Sequence, residues 1–311
     1  MRILLVHNFY GSSAPSGENK VFEAEKAMLE KHGHEVAVYT RHSDEIRKGN
    51  VIARLWGNLK GAVCTVGNPF AARAVAKICR EFKPDVVHVH NVFPLISPLA
   101  IRAASKYAPV VMTLHNYRTA CAAGVPTRNG KVCSLCLDKK CVWDGIRHRC
   151  YRGGVLSTLP LSMNISLYRR LLPMWVSRFI VFSEFQKGKM VAYGWPEDKF
   201  VVKPNFVSGI MPREEVQRKD QILYVGRLSR EKGVETLINA FRIIRGGGGV
   251  IFLGKQNAEM VLRLMSESKA ICVPSEWWEG MPITLIEAFH TGTPMIVSNQ
   301  GMMPEMIIGE L

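Results

Sequence analysis

Residues 222–234 read Ile222-Leu223-Tyr224-Val225-Gly226-Arg227-Leu228-Ser229-Arg230-Glu231-Lys232-Gly233-Val234. Four apolar residues run into a glycine, a charged loop follows, and a second glycine opens an apolar-periodic segment at 233–244. That is a buried strand, a strand-end loop and a helix. The rhythm continues with expected strands at 250–253, 270–273 and 295–298 and helices at 258–268 and 282–290. Working back, residues 204–219 hold few apolar side chains and form the expected linker. Before it the same alternation runs from the N-terminus. Strands are expected at 3–6, 35–40, 86–90, 110–114 and 179–182, and helices at 18–31 and 156–172. Strands alternating with helices predict parallel sheets covered on both faces, in two halves with a cleft between them. Ligands of such sheets bind at the carboxyl ends of the strands.

Composition agrees with a globular chain. It has 311 residues, 47% hydrophobic and 22% charged, enough for two domains. The apolar run at 3–6 is too short for a signal-peptide core, and no run of about 18 apolar residues predicts a membrane span. The expected location is therefore the cytoplasm, where the eight cysteines would be thiols or metal ligands. A formal charge of +15 admits nucleic acid, an anionic membrane or a phosphorylated substrate. The cations are scattered, and no nucleic-acid-binding motif accompanies them, so nucleic acid is set aside.

Four features fall at expected strand ends. Gly11 to Gly17 is a glycine-rich loop after the first strand; it can bring amides to an anion or be a plain surface loop. Arg227 and Lys232 are cations flanked by glycines, suited to neutralising a diphosphate leaving group. Glu279 precedes a helix expected to start at Pro282, and Glu287 lies on that helix. Their carboxylates suit sugar hydroxyls and a ribose diol. His115 ends the run Thr113-Leu114-His115-Asn116. His88 and His90, two apart on one strand face, are read as structural.

Together these features resemble the family 4 glycosyltransferases, which have the retaining chemistry and two-domain GT-B fold. The resemblance extends from Met1 to about Glu305. It rests on the order of His88-Val89-His90-Asn91, Thr113-Leu114-His115-Asn116, Ser183-Glu184-Phe185, Lys203-Pro204-Asn205, Gly226-Arg227-Leu228, Glu231-Lys232-Gly233 and the Glu279/Glu287 pair. It implies an α/β fold of two Rossmann-like domains facing a central cleft. The first, 1–205, would be the acceptor side with a Cys-rich loop at 117–154; the second, 206–311, would hold the nucleotide sugar.

The resemblance also implies residue roles. Arg227 and Lys232 would bind the donor diphosphate, Glu287 the ribose and Glu279 the transferred sugar. His115 would touch that sugar from the N-terminal domain, and Gly11 would lie near donor phosphates or acceptor. The donor would be UDP- or GDP-linked and the acceptor a glycan or lipid-linked glycan of cell-surface polysaccharide synthesis. The cationic pair would do the work of a catalytic metal. Two departures from the family pattern shorten the second domain. Only Gly246 to Gly249 separate Arg245 from Val250, where family members carry a further strand, turn and helix. The sequence also stops at Leu311. These leave a nucleotide-sugar-binding protein without turnover, or a GT-B epimerase, as alternatives.

Three other features complete the reading. Cys133, Cys136, Cys141 and Cys150, with Cys121 and His148 nearby, form either a structural zinc site or plain thiols in a lid-like loop. Residues 249–255 imitate the start of a P-loop, but Gln256 replaces its Ser or Thr. Residues 47–63 and 167–178 combine cations with Trp56 and Trp175. They fit either peripheral contact with an anionic membrane face or amphipathic helices packed on the sheet.

Overall fold

The computed structural model describes residues 1–12, 16–47, 49–207, 216–245 and 249–307. Part of the Gly11–Gly17 loop, half of the expected linker and Gly246–Gly248 therefore lie outside the described residues. In chain order the elements begin with β1 (Arg2–Phe9), α1 (Gly17–Lys31), β2 (Glu35–His42), α2 (Val51–Val66), α3 (Pro69–Phe82), β3 (Val86–Asn91), α4 (Pro98–Ala104) and β4 (Val110–Thr113). The long loop contains the hairpin β5 (Thr127–Arg128) and β6 (Lys131–Val132) and the short helices α5 (Leu135–Asp138) and α6 (Trp143–Arg147). Then come α7 (Val155–Tyr168), α8 (Leu172–Trp175), β7 (Arg178–Val181), α9 (Glu184–Ala192) and β8 (Phe200–Val202). The last third holds β9 (Lys219–Leu223), α10 (Val234–Arg245), α11 (Ala258–Ser266), β10 (Ser268–Val273), α12 (Ile283–His290), β11 (Met295–Val297) and α13 (Met303–Ile307).

The chain divides into two compact units. Unit 1 comprises Met1–Val125 and Ser134–Pro204; unit 2 comprises Pro126–Cys133 and Asn205–Leu311. Unit 1 is built on a parallel sheet of order β2-β1-β3-β4-β7-β8. Leu4, Leu5, Val6, Val87, Val89, Val110, Phe179 and Val181 are all buried. Such nearly continuous apolar strands suit a sheet covered on both faces. Helix starts follow local chemistry: Ser16, Asn50, Asn68 and Ser183 each accept a backbone N–H at the first turn of α1, α2, α3 and α9. At the order reversal between β1 and β3, Asn91 donates to the Asn8 carbonyl at 2.9 Å, and the Leu95 amide donates to the Asn8 side chain at 3.1 Å. These bonds join the two strand ends where a doubly wound sheet binds ligands.

Unit 2 has a three-stranded parallel sheet of order β11-β10-β9. Residues 250–253, expected as a strand, are irregular. Val250, Ile251, Phe252 and Leu253 are exposed. An apolar run becomes a strand only when a neighbour pairs it and a layer covers it, and among the described residues neither does. Two smaller corrections concern ends. The strand expected at 222–225 occupies Lys219–Leu223, and the helix expected at 156–172 stops at Tyr168 before resuming as α8. No described helix is long and apolar enough to cross a membrane.

Candidate active site

In unit 1 the strand ends gather four imidazoles. His7 stacks on Phe22, with ring centroids 4.7 Å apart, and its Nε2 lies 3.0 Å from Asn19 Oδ1. That oxygen only accepts, so His7 carries its proton on Nε2. Burial lowers its pKa to about 4. His90 Nδ1 and His115 Nε2 are 3.0 Å apart. Burial holds His90 well below the usual histidine range and His115 at about 3, with the charges of neighbouring histidines adding to both shifts. Between two neutral rings one N–H donates and the other nitrogen accepts. His115 is thus oriented by His90 and remains partly accessible.

His88 is bonded on both sides. Its Nδ1 lies 2.8 Å from Glu25 Oε1 and its Nε2 lies 2.8 Å from Thr113 Oγ1. Lys203 Nζ stands 4.0 Å from the same Glu25 oxygen. Burial pushes the Glu25 carboxyl up, but the His88 bond and the charges of His88 and Lys203 outweigh it and hold it below its ordinary value. The structural reading of His88 thus acquires its partner, Glu25, which the sequence reading did not name. A signal was available: Glu25 lies four residues beyond Val21 on the buried face of α1, beside Phe22, where a carboxylate needs a cation. Glu25, His88 and His90 are also the one set of three potential metal ligands that converge among the described residues. Their carboxylate is already hydrogen-bonded by His88 and faces the Lys203 ammonium, so an ion-pair network accounts for them.

A second cluster borders His115. Asn116 Nδ2 donates to Glu18 Oε1 at 2.6 Å, and the Tyr10 hydroxyl approaches the same oxygen at 3.4 Å. Glu18, Asn116, Arg118, Thr119 and His115 line one small pocket. Burial raises the Glu18 carboxyl, opposed by Asn116, Arg118 and Tyr10. Gly11 packs against the turn at Ser43–Ile46. A Cβ there would sit 2.8 Å from both Arg47 Nη1 and Asp44 Oδ1. In that turn Asp44 also accepts from Ser12 Oγ at 2.7 Å.

In unit 2, Lys232 Nζ meets Glu279 Oε1 at 2.6 Å, and Ser275 Oγ donates to that same oxygen at 2.6 Å. The Glu279 side chain is only 6% exposed. Lys232 also lies over the Trp277 ring, 5.3 Å from its centroid. Lysine has three N–H donors, so this pairing leaves others to aim elsewhere. Arg227 is more open: its side chain is 58% exposed and 3.3 Å from Glu231. Gly233 makes the loop possible. Its φ is +68°, and a Cβ there would fall 1.8 Å from the Pro274 carbonyl oxygen, so only glycine fits. Glu287 lies in the second turn of α12, half-buried. Pro282, expected as the first helical residue, is the N-cap, with extended backbone at φ −65° and ψ 117°. Unit 2 therefore brings Lys232 to Glu279, and unit 1 brings His115 to His90 and the Glu18 pocket.

The cysteine loop does not assemble a metal cage among the described residues. No three of Cys121, Cys136, Cys141 and Cys150 in unit 1 come within ligand distance of one another. Cys136 instead packs with Ala122, Val142, Leu161 and Ile165, and burial pushes the Cys121 thiol up to about 11, where it stays protonated.

Comparison with known proteins agrees with this architecture. Residues 17–208 match the profile described as Glycosyltransferase Family 4, and residues 245–310 match Glycosyl transferases group 1. An uncharacterized glycosyltransferase of Methanocaldococcus jannaschii is 32% identical over 117 residues, which cover 29% of this chain and 30% of that protein. The putative teichuronic acid biosynthesis glycosyltransferase TuaC of Bacillus subtilis is 23% identical, covering 97% of this chain and 82% of the relative. Anabaena HepE, crystallised with UDP and glucose, superposes with a TM-score of 0.56 at 15% identity, covering 98% of this chain and 82% of that one. The likeness identifies the fold as GT-B.

Proposed function

The chain belongs to glycosyltransferase family 4, and on that premise we propose that it transfers a sugar from a nucleoside-diphosphate sugar to a glycan or lipid-linked acceptor, with retention of configuration. The observation that carries this reading is the loop cation Lys232, fixed by the buried Glu279, which Ser275 in turn hydrogen-bonds, with the exposed Arg227 on the same loop. A diphosphate leaving group needs positive charge held in place before bond cleavage. A lysine anchored by one hydrogen bond, with others to spare, supplies it with little reorganisation. Cationic side chains would thus do what a metal does elsewhere.

In unit 2, Glu287 is the proposed ribose contact, and Glu279 the proposed contact to the transferred sugar through the oxygen that Lys232 and Ser275 leave open. In unit 1, His115 is the proposed sugar contact. As a neutral imidazole it can donate or accept a hydrogen bond to a hydroxyl without adding charge. Gly11 is proposed to lie near the donor phosphates or the acceptor. UDP is the favoured nucleotide, because HepE was crystallised with it, and GDP is the competing choice. Surface-polysaccharide assembly is the favoured setting, because TuaC bears a teichuronic acid name. A thermal-shift screen with UDP, GDP, ADP and their sugars tests donor binding. Nucleoside diphosphate release that depends on acceptor, with the anomeric proton coupling of the product read by NMR, tests transfer and retention. Release without acceptor dependence, or an inverted product, refutes the proposal.

A further inference from the structure

Helix α2 is built inside out, and its neighbour α7, which buries Leu161, Ile165 and Tyr168, also carries apolar side chains on its outer side. A surface helix of a soluble domain normally buries its large apolar side chains and leaves small and polar ones to water. In α2 the buried residues are Gly57, Gly61 and Thr65. A Cβ on Gly57 would lie 2.2 Å from the Ile46 carbonyl oxygen, so this face is shaped for close backbone approach. The opposite side carries Val51, Ile52, Leu55, Trp56, Leu59 and Val63, each more than half exposed. In α7, Thr158, Ser162 and Asn164 are buried, whereas Leu156, Leu159, Met163 and Leu167 are exposed. The two helices touch: Asn164 Nδ2 donates to the Thr65 carbonyl at 2.6 Å. Their outer sides thus contribute apolar stripes to one side of unit 1.

The charges around these stripes have one sign. Residues 46–80 and 145–183 contain no Asp or Glu at all. Arg54 and Lys60 are exposed on α2, and Arg169 and Arg170 follow α7 directly. A second copy of this face would set those cations against their own images, which disfavours self-association. Tryptophan and aliphatic side chains flanked by arginine and lysine match the physics of a bilayer surface. There apolar groups enter the acyl boundary and cations meet lipid phosphates.

We propose that the outer face of α2 and α7 docks unit 1 on an anionic lipid bilayer, with Trp56 and Leu59 inserted and Arg54 and Lys60 at the headgroups. This assignment stands independently of sugar transfer. It replaces the expectation of ordinary amphipathic packing for residues 47–63, because their apolar side points away from the protein.

The test is co-sedimentation of the full chain with phosphatidylcholine vesicles, with and without about 30% phosphatidylglycerol. Anionic vesicles should bind the protein and neutral ones should bind it weakly. Trp56→Glu combined with Leu59→Glu should weaken binding at least about tenfold, and Arg54→Glu with Lys60→Glu should remove the preference for anionic lipid. All four side chains are exposed, so circular dichroism should report an unchanged fold. Trp56→Phe should retain binding but lose most quenching of protein fluorescence by brominated lipid. Equal binding to both vesicle types, or unchanged binding of the Trp56→Glu/Leu59→Glu variant, overturns the proposal. A change in oligomeric mass on that substitution, without a change in vesicle binding, identifies a protein-docking face and also overturns it.

Discussion

Replacing Lys232 with alanine should affect stability and donor binding together, whereas replacing Arg227 should affect binding alone. Lys232 is the 2.6 Å partner of a carboxylate whose side chain is 6% exposed. Removing one member of a buried pair costs about 3–5 kcal/mol. Glu279 keeps its Ser275 bond, and Lys232 is itself 19% exposed, which brings the expected loss to about 2–4 kcal/mol. Loss of the Trp277 contact is included in that range. Arg227, 58% exposed and 3.3 Å from Glu231, should contribute only about 0.3–0.5 kcal/mol. Both variants remove a charge-assisted bond to the proposed diphosphate, so each should weaken nucleotide binding about 10- to 150-fold. Urea unfolding gives the first quantity and titration with UDP and GDP the second. The double variant Lys232→Met with Glu279→Gln should recover part of the lost stability, since no buried charge is left unpaired. The reasoning fails if Lys232→Ala unfolds like the wild type, or if Arg227→Ala destabilises as much.

Four further outcomes follow from the geometry. The His7 imidazole, lowered to about 4 by burial, binds its proton more tightly in the unfolded chain. Its contribution is therefore complete above about pH 6.5 and lost as pH falls toward 4. It amounts to about 3 kcal/mol, and urea titrations across that window should have a shallower pH slope in His7→Gln. Gly233→Ala should destabilise unit 2 by about 3 kcal/mol or more, because positive φ and the Pro274 oxygen both exclude a Cβ. Gly188→Ala, with nothing within 4 Å in the middle of α9, should instead raise the melting temperature, through a gain of about 0.4–1 kcal/mol. Glu287→Ala should weaken UDP by roughly 10-fold or more yet leave 2′,3′-dideoxy-UDP unchanged. Equal loss for both nucleotides would remove Glu287 from the ribose.

How much of the site could be read in advance varied with how local its signals are. Gly226 to Gly233 announced a strand-end loop because glycine, cation and apolar run are adjacent in the chain. Gly233 proves to need its missing Cβ because of Pro274, forty-one residues away. Glu279 was legible as a loop carboxylate, but its bond to Lys232 was not, since sequence separation fixes no distance. Glu25 went unnamed because its partners come from elsewhere in the chain, His88 from β3 and Lys203 from the residue after β8. The cysteine spacing left a cage and plain thiols both readable, because a cage needs several ligand atoms converging on one point, and in the fold Cys136 packs with aliphatic side chains.

The sequence by itself determined the alternation of strands and helices, the parallel sheet of unit 1 and the family to which the chain belongs. The elements follow from periodicity and short-range hydrogen bonding, which act within a few residues, whereas the family follows from the order of short motifs. Tertiary structure decided which apolar runs found cover. Residues 250–253 have the composition of a strand but, among the described residues, lack a neighbour to pair them. The apolar stripe of α2 has the spacing of a buried face and points outward, because glycines occupy the side that meets the turn at Ser43–Ile46. Apolar spacing states that a surface must be covered; the packing of the other elements determines whether the protein covers it or leaves it to another phase.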